Sequence, residues 1–324
     1  MDDSLLNGIK HAVFSGGGLK GFAFIGALQE LMRDSSDRWK FFSRNIKAVS
    51  GTSIGCMGAF ICSVGFPLER IQEWILNYDF SRLINLPSIE VLARRVMGWS
   101  SWVPSVPRNS DYYLSDGKGL YAFYRDIISF CVGNPDITMK ELWERTGKET
   151  HFYTCVLETR KCIDISRLTY PHLPVWTAMA ASSALPFIFP PVIIDKYECV
   201  DGGIMINTPV CLYPIDETII FKLKIPRIRE KSGIDRWFQL WECLFAGQTA
   251  LMLNRYPEIY KQLILIPCRS SSLMDLIQSR IPKDMILDNI EEGRRAVKAY
   301  TFRSILLLII ALRIHIVKRK RSTT

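Results

Sequence analysis

The sequence predicts an α/β protein built in layers on a mostly parallel sheet. Two observations carry that expectation. Short apolar runs alternate along the chain with longer segments of helical period, the order a layered α/β fold requires. Twice near the start, at 9–14 and at 46–50, a strand-like run passes through a glycine turn directly into a helical pattern. The 324 residues are 48% hydrophobic and 23% charged, which suits one sizeable core. No repeat and no Gly/Ser-rich or Pro-rich linker divides them, so one domain with a tail is the simpler organisation.

Strand 9–14 leads into a helix over 18–33, with Phe24, Ile25, Leu28, Leu31 and Met32 on one face. Strand 46–50 leads into helix 53–64, and helix 67–77 follows. Residues 80–120 are mixed. Trp99 and Trp102, among Gly98, Ser100, Ser101 and Pro104, read as a loop with inward-packed indoles, or as a lid over a site. Helices are expected over 119–131 and 139–145. Strands over 151–158 and 162–166 pair through Thr159, Arg160 and Lys161. Helix 175–184 stops before Pro186. Strands near 192–200 and 204–206 precede strand 218–225, helix 234–253, strand 262–267 and a last helix over 284–300.

The chemistry concentrates in the turns. Gly51-Thr52-Ser53-Ile54-Gly55 sits between a strand and a helix, the setting of a G-x-S-x-G nucleophile elbow. Its glycines permit a sharp turn, and the following helix N-terminus favours a developing oxyanion. By itself the pattern also fits an ordinary glycine-rich turn. Gly16, Gly17 and Gly18, with Lys20 and Gly21, open the preceding helix, and consecutive glycines there form an anion-binding nest. The same residues spell the dinucleotide pattern G-x-G-x-x-G. The next strand, however, ends in the serine turn and not in a ribose-binding carboxylate. Asp201-Gly202-Gly203 follows a strand-like run, where alone it reads as a simple turn. Of four histidines, His11, His151 and His172 precede Asp201, and His315 lies in the tail. A Ser-acid-His order is therefore poorly served, which leaves a carboxylate as direct base to Ser53.

Taken together, G-G-G-x-K-G, G-T-S-x-G and D-G-G, with the stretch from Ala181 to Pro191, resemble the patatin-like phospholipase family across residues 9 to about 210. That resemblance implies a three-layer patatin-like fold and a Ser-Asp dyad lipid acyl hydrolase. Ser53 would be the nucleophile and Asp201 the base. Gly16, Gly17 and Gly18 would form the oxyanion hole, with Lys20, Gly21, Gly51, Gly55, Gly202 and Gly203 supporting the motifs. Ser15 stands where many members carry aspartate, a departure outside the dyad. The expected reaction is cleavage of membrane phospholipid acyl esters, with no cofactor and no metal. A neutral-lipid lipase, an acyltransferase with the same dyad, and a non-catalytic lipid-binding protein remain the alternatives.

Residues 211–300 are expected to complete the same α/β domain, and 301–324 to form an apolar and basic tail. The net charge is +9. Much of it flanks the apolar run 305–312: Arg294, Arg295, Lys298 and Arg303 before it, Arg313 and Lys318 to Arg321 after it. That arrangement favours a membrane surface over nucleic acid as partner. As a helix, 304–317 is about 21 Å long against a hydrocarbon core of about 30 Å, which favours an interfacial helix over a full span. Nine cysteines lack paired spacing, and Cys56, Cys62, Cys131, Cys155, Cys199, Cys211 and Cys243, all in apolar surroundings, read as small buried hydrophobes in a reducing compartment. With no basic-then-apolar segment at the start, the expectation is an intracellular, membrane-associated protein without a secretory signal.

Overall fold

The computed structural model describes residues 8–33, 42, 44–84, 113–210, 212–224, 233–268 and 281–301. The Trp99/Trp102 loop, Cys211 and the tail from 302 onward lie outside the described residues.

An 8-stranded mixed sheet organises the chain, with β1 (His11–Phe14), β2 (Ala48–Thr52), β3 (Glu149–Val156), β4 (Lys161–Ile165), β5 (Val192–Ile194), β6 (Tyr197–Asp201), β7 (Thr218–Lys224) and β8 (Leu263–Pro267). The order is β5-β6-β3-β2-β1-β7-β8, and β4 also pairs with β3. The run β3-β2-β1-β7-β8 is parallel throughout, whereas β4, β5 and β6 join antiparallel. All residues of β1 and β2 are buried, as expected where helices cover both faces of a parallel sheet.

Side-chain alternation separates two cores. Ala12 and Phe14 of β1 face the larger one, where Phe14 stacks on Phe221 and meets Phe24 edge-on. That face is covered by α1 (Ala23–Met32), α2 (Gly55–Val64), α3 (Leu68–Asn77), α4 (Lys118–Val132), α5 (Met139–Thr146) and α6 (Val175–Ser183). The last helix, 283–301, also packs there through Ile286, Ile290 and Val297. Gly26 and Gly293 let it cross α1 closely, because a Cβ at either position would overlap the partner's backbone. Val13 faces the smaller core with Ile220, Ile259 and Leu263. Met252 and Leu253 of α7 (Gly233–Arg255) pack against that core, and Ile259 comes from α8 (Ile259–Gln262). The layered α/β architecture follows the sequence-based expectation.

Several boundaries differ from that expectation, each for a local reason. The first helix begins as a 3-10 turn, Gly18–Phe22, because glycine supports poor helical propagation. Residues 192–200 form a hairpin, β5 and β6, turning at Asp195 with φ 56, and not one strand. The strand expected near 204–206 is instead a 3-10 turn, Gly202–Ile204, capped by the Asp201 side chain. Cys243 is exposed on α7, against expectation, whereas Cys56, Cys62, Cys131, Cys155 and Cys199 are buried as expected; Cys268 is buried as well.

Candidate active site

The register of β3 positions the site. Phe152 and Tyr153 pair with β2 on one edge and with β4 on the other. Thr154 to Val156 pair with β6 and again with β4. β2 and β6 therefore occupy the same edge of β3 and run toward each other. β2 ends at Thr52, opposite Tyr153, and β6 ends at Asp201, opposite Thr154. The residue that leaves β2 is Ser53, so the head-on meeting of two strands brings Ser53 to Asp201. Ser53 lies close enough for its side chain to favour the ionised form of Asp201.

Ser53 has φ 55, a left-handed conformation that costs a non-glycine residue roughly 1–3 kcal/mol. The surroundings impose it. The Ser53 N–H donates to the Ser182 Oγ at 3.0 Å, and that hydroxyl donates to the Tyr153 carbonyl at 2.5 Å. Ser182 thus ties the elbow to the strand on which β2 and β6 meet. Gly51 and Gly55 permit the tight return, since a Cβ at Gly51 would overlap the Gly55 carbonyl and one at Gly55 the Phe14 carbonyl.

Asp201 is 3% exposed. One carboxylate oxygen accepts the Gly203 N–H at 2.7 Å. Burial pushes its carboxyl up to about 6, against the Ser53 side chain and the Gly203 N–H, both of which favour the anion. A base with a pKa near neutrality is mostly ionised at pH 7 and still holds a proton well once it takes one. Gly202 is required beside it, because a Cβ there would overlap the Tyr153 carbonyl.

The glycine nest lies against this pair. A Cβ on Gly16 would sit 3.2 Å from the Ser53 Cβ and 2.5 Å from the Asn207 Oδ1. The Gly16 N–H donates to the Asn207 carbonyl at 3.1 Å, so it fastens the loop and is not free for an oxyanion. Gly17 and Gly18 lead the 3-10 turn, whose opening N–H groups have no carbonyl one turn back. Gly21 abuts the Ile54 side chain and seats the turn on the elbow. Lys20 is largely buried, with its charge near the Cys268 thiol. Ser15 is buried, and its hydroxyl accepts the Leu223 N–H at 3.0 Å, a structural task in the sheet.

Ser182 lies in the Ala181–Pro191 stretch, where the sequence reading assigns it no role of its own. Two residues at the site carry no motif that the sequence reading used. Asn207 is one, with its Oδ1 buried and unpartnered between Gly16 and Gly203. Gln248 of α7 is the other. Its amide donates to the Gly203 carbonyl at 3.1 Å and the Ile204 carbonyl at 2.6 Å, and its oxygen accepts the Asn207 N–H at 3.0 Å. The histidines are committed elsewhere. His11 pairs with the fully buried Ser50 at 2.6 Å, His151 with Asp164 at 2.8 Å, and His172 is exposed.

Known proteins share this arrangement of sequence and fold. A family model described as patatin-like phospholipase matches residues 12–212. The chain is 23% identical over 270 residues to a probable lipid hydrolase, 463L, of Invertebrate iridescent virus 6, covering 79% of this chain and 81% of that protein. It is 26% identical over 227 residues to protein R571 of Acanthamoeba polyphaga mimivirus, where the match covers 65% of this chain but only 64% of the viral protein. Among solved structures, VipD from Legionella pneumophila superposes with a TM-score of 0.51 at 15% identity, over 90% of this chain and 67% of that one, a likeness of fold. The family match takes in the glycine nest, the serine elbow and the D-G-G turn together, and the chain belongs to the patatin-like phospholipase family.

Proposed function

We propose that this protein is a lipid acyl hydrolase that cleaves fatty acyl esters of membrane phospholipids through Ser53 and Asp201. The observation that carries the reading is the placement of a serine in left-handed conformation and a buried carboxylate at the abutting ends of two strands, beside a glycine nest. Family membership and the likeness to a probable lipid hydrolase support it.

The chemistry follows from the geometry. Ser53 Oγ attacks the acyl carbonyl as its proton passes to Asp201. The oxyanion forms over the opening N–H groups at Gly17 and Gly18 and the positive end of α2. Collapse breaks the ester bond, and the leaving alcohol takes the proton from Asp201. Asp201 then accepts a proton from water, which attacks the acyl-Ser53 carbonyl. The acid departs and Ser53 regains its proton. Because the base must be ionised, kcat/KM should fall about tenfold per pH unit below about 6 and level off above it.

The apolar, basic tail would add attachment to an anionic membrane surface. No described helix is long and apolar enough to cross a membrane. The deciding experiment incubates a lipid panel with wild type, Ser53→Ala, Asp201→Asn and His172→Gln and identifies products by mass. Fatty acid plus lysolipid from wild type and His172→Gln, and from neither dyad variant, is the expected outcome. Turnover by folded Ser53→Ala at the wild-type rate defeats the assignment.

A further inference from the structure

The candidate oxyanion hole is one donor short. Three successive glycines would offer three N–H groups, but the Gly16 N–H is taken by the Asn207 carbonyl at 3.1 Å. The loop that removes this donor carries an uncommitted one. Asn207 is 4% exposed, its Oδ1 is buried without a partner, and its Nδ2 makes no hydrogen bond among the described residues. A buried amide with both ends idle is costly, and the cost is recovered when a ligand supplies the partner. The main chain around it is fastened. The Asn207 N–H donates to the Gln248 Oε1 at 3.0 Å, its carbonyl takes the Gly16 N–H, and the neighbouring Thr208 Oγ1 accepts from the buried Lys222 at 3.2 Å. The backbone is fixed where the side chain has no task.

Position decides the ligand. The point that a Gly16 Cβ would occupy lies 2.5 Å from the Asn207 Oδ1 and 3.2 Å from the Ser53 Cβ. The amide, the nucleophile and the glycine nest therefore converge on one residue. A Gly203 Cβ would lie 3.2 Å from the same Oδ1 and 3.0 Å from the Asp201 Oδ1, so the amide borders the base as well. A half-turn about its Cβ–Cγ bond exchanges Oδ1 and Nδ2 with little change of shape. No bond among the described residues opposes that exchange, and negative charge arriving beside the amide selects the donor. We propose that Asn207 is a catalytic residue, whose Nδ2–H donates to the oxyanion formed when Ser53 attacks, in the place that Gly16 cannot fill. The proposal rests on the acyl hydrolase reading and adds no bond or proton transfer to that scheme. A donor held at the site of developing charge acts on the transition state and contributes little to ground-state binding.

Two variants of the full-length protein test this. Asn207→Leu keeps the shape without polar atoms, and Asn207→Ala removes the amide; both leave the main-chain bonds in place. Each should lower kcat on a short soluble ester on the order of 100-fold with KM little changed. Asn207→Leu should resist urea at least as well as wild type, because it removes an orphaned buried amide. Asn207→Ala keeps the test open should Asn207→Leu not fold. Phosphonylation of Ser53 by an alkyl fluorophosphonate, read by intact-protein mass, should slow by a similar factor, since the phosphoryl oxygen gains negative charge in the same place. Wild-type rates in either folded variant overturn the inference. So does a loss confined to KM, which identifies a ground-state contact. So does an acidic limb of kcat/KM moved to higher pH, which shows that the amide serves the Asp201 carboxylate instead. Slowed phosphonylation in both variants, beside a wild type that hydrolyses no lipid of the panel, sustains the donor and defeats the phospholipid reading. A wild type whose Ser53 the fluorophosphonate leaves unlabelled defeats both.

Discussion

Asp201→Asn should stop turnover and yet strengthen the fold, with a pH signature that identifies the cause. Burial raises this carboxyl from 3.8 to about 6. A folded-state pKa above the unfolded one means that the folded form holds the proton more tightly. The group's contribution to stability is therefore fully present below 3.8 and is lost as pH rises through about 6. Above that range the buried anion costs roughly 3 kcal/mol, at about 1.4 kcal/mol for each tenfold change in proton affinity. Asparagine keeps the shape and can still accept the Gly203 N–H, but it never ionises. Its stability advantage over wild type should thus grow by about 2 kcal/mol between about pH 4.5 and about pH 8, the remainder having been lost below that range. Urea unfolding at the two pH values measures it, with equal slopes confirming that the unfolded states are alike. An advantage that is independent of pH, or a variant less stable than wild type at the higher pH, refutes the account of a desolvated ionised base.

Gly16→Ala drives a methyl group between the Ser53 Cβ and the Asn207 amide and displaces the serine, so kcat should fall on the order of 100-fold with thermal stability lowered only modestly. Gly17→Val should be milder than the motif implies, because the added Cβ meets the movable Leu223 side chain and not Ser53; equal losses at the two positions would contradict the geometry. Gln248→Ala removes three hydrogen bonds around the D-G-G turn and should lower kcat roughly tenfold with KM little changed. Gln248→Glu, which keeps an acceptor but no donor, should fail to restore kcat. Removal of the tail should be cut after Thr301 and not after Ala299, since Tyr300 is buried and its hydroxyl donates to the Lys261 carbonyl at 2.9 Å. The cut at Thr301 should leave the unfolding midpoint unchanged and reduce salt-sensitive binding to anionic vesicles.

The parts of the site that sequence could disclose are those where backbone geometry demands a residue type. Gly51 and Gly55 are written into the chain by overlaps that any Cβ would cause, and they frame a serine that is left-handed in the structure. Short continuous apolar runs make the parallel core legible for a similar reason, since every residue of β1 and β2 is enclosed. The relation between Ser53 and Asp201 is of another kind. It depends on β3 being long enough to pair with β2 over Glu149 to Tyr153 and then with β6 from Thr154 onward, and no local pattern encodes two strands meeting on one edge. The D-G-G turn is legible, but 204–206 reads as a strand in sequence because the turn's extension to Ile204 depends on its cap, the Asp201 side chain, a bond visible only in three dimensions. The roles of Ser182, inside the Ala181–Pro191 stretch, and of Gln248 are invisible in sequence for the same reason: each holds the site from a helix distant in sequence, by bonds to backbone atoms. The arrangement also bears on why a carboxylate would suffice without histidine. A base that acts on the nucleophile without a histidine between them needs a pKa near neutrality, which an exposed aspartate lacks. Closing β6 against β2 both delivers Asp201 to Ser53 and removes it from water. The same strand collision thus sets the distance and the proton affinity together.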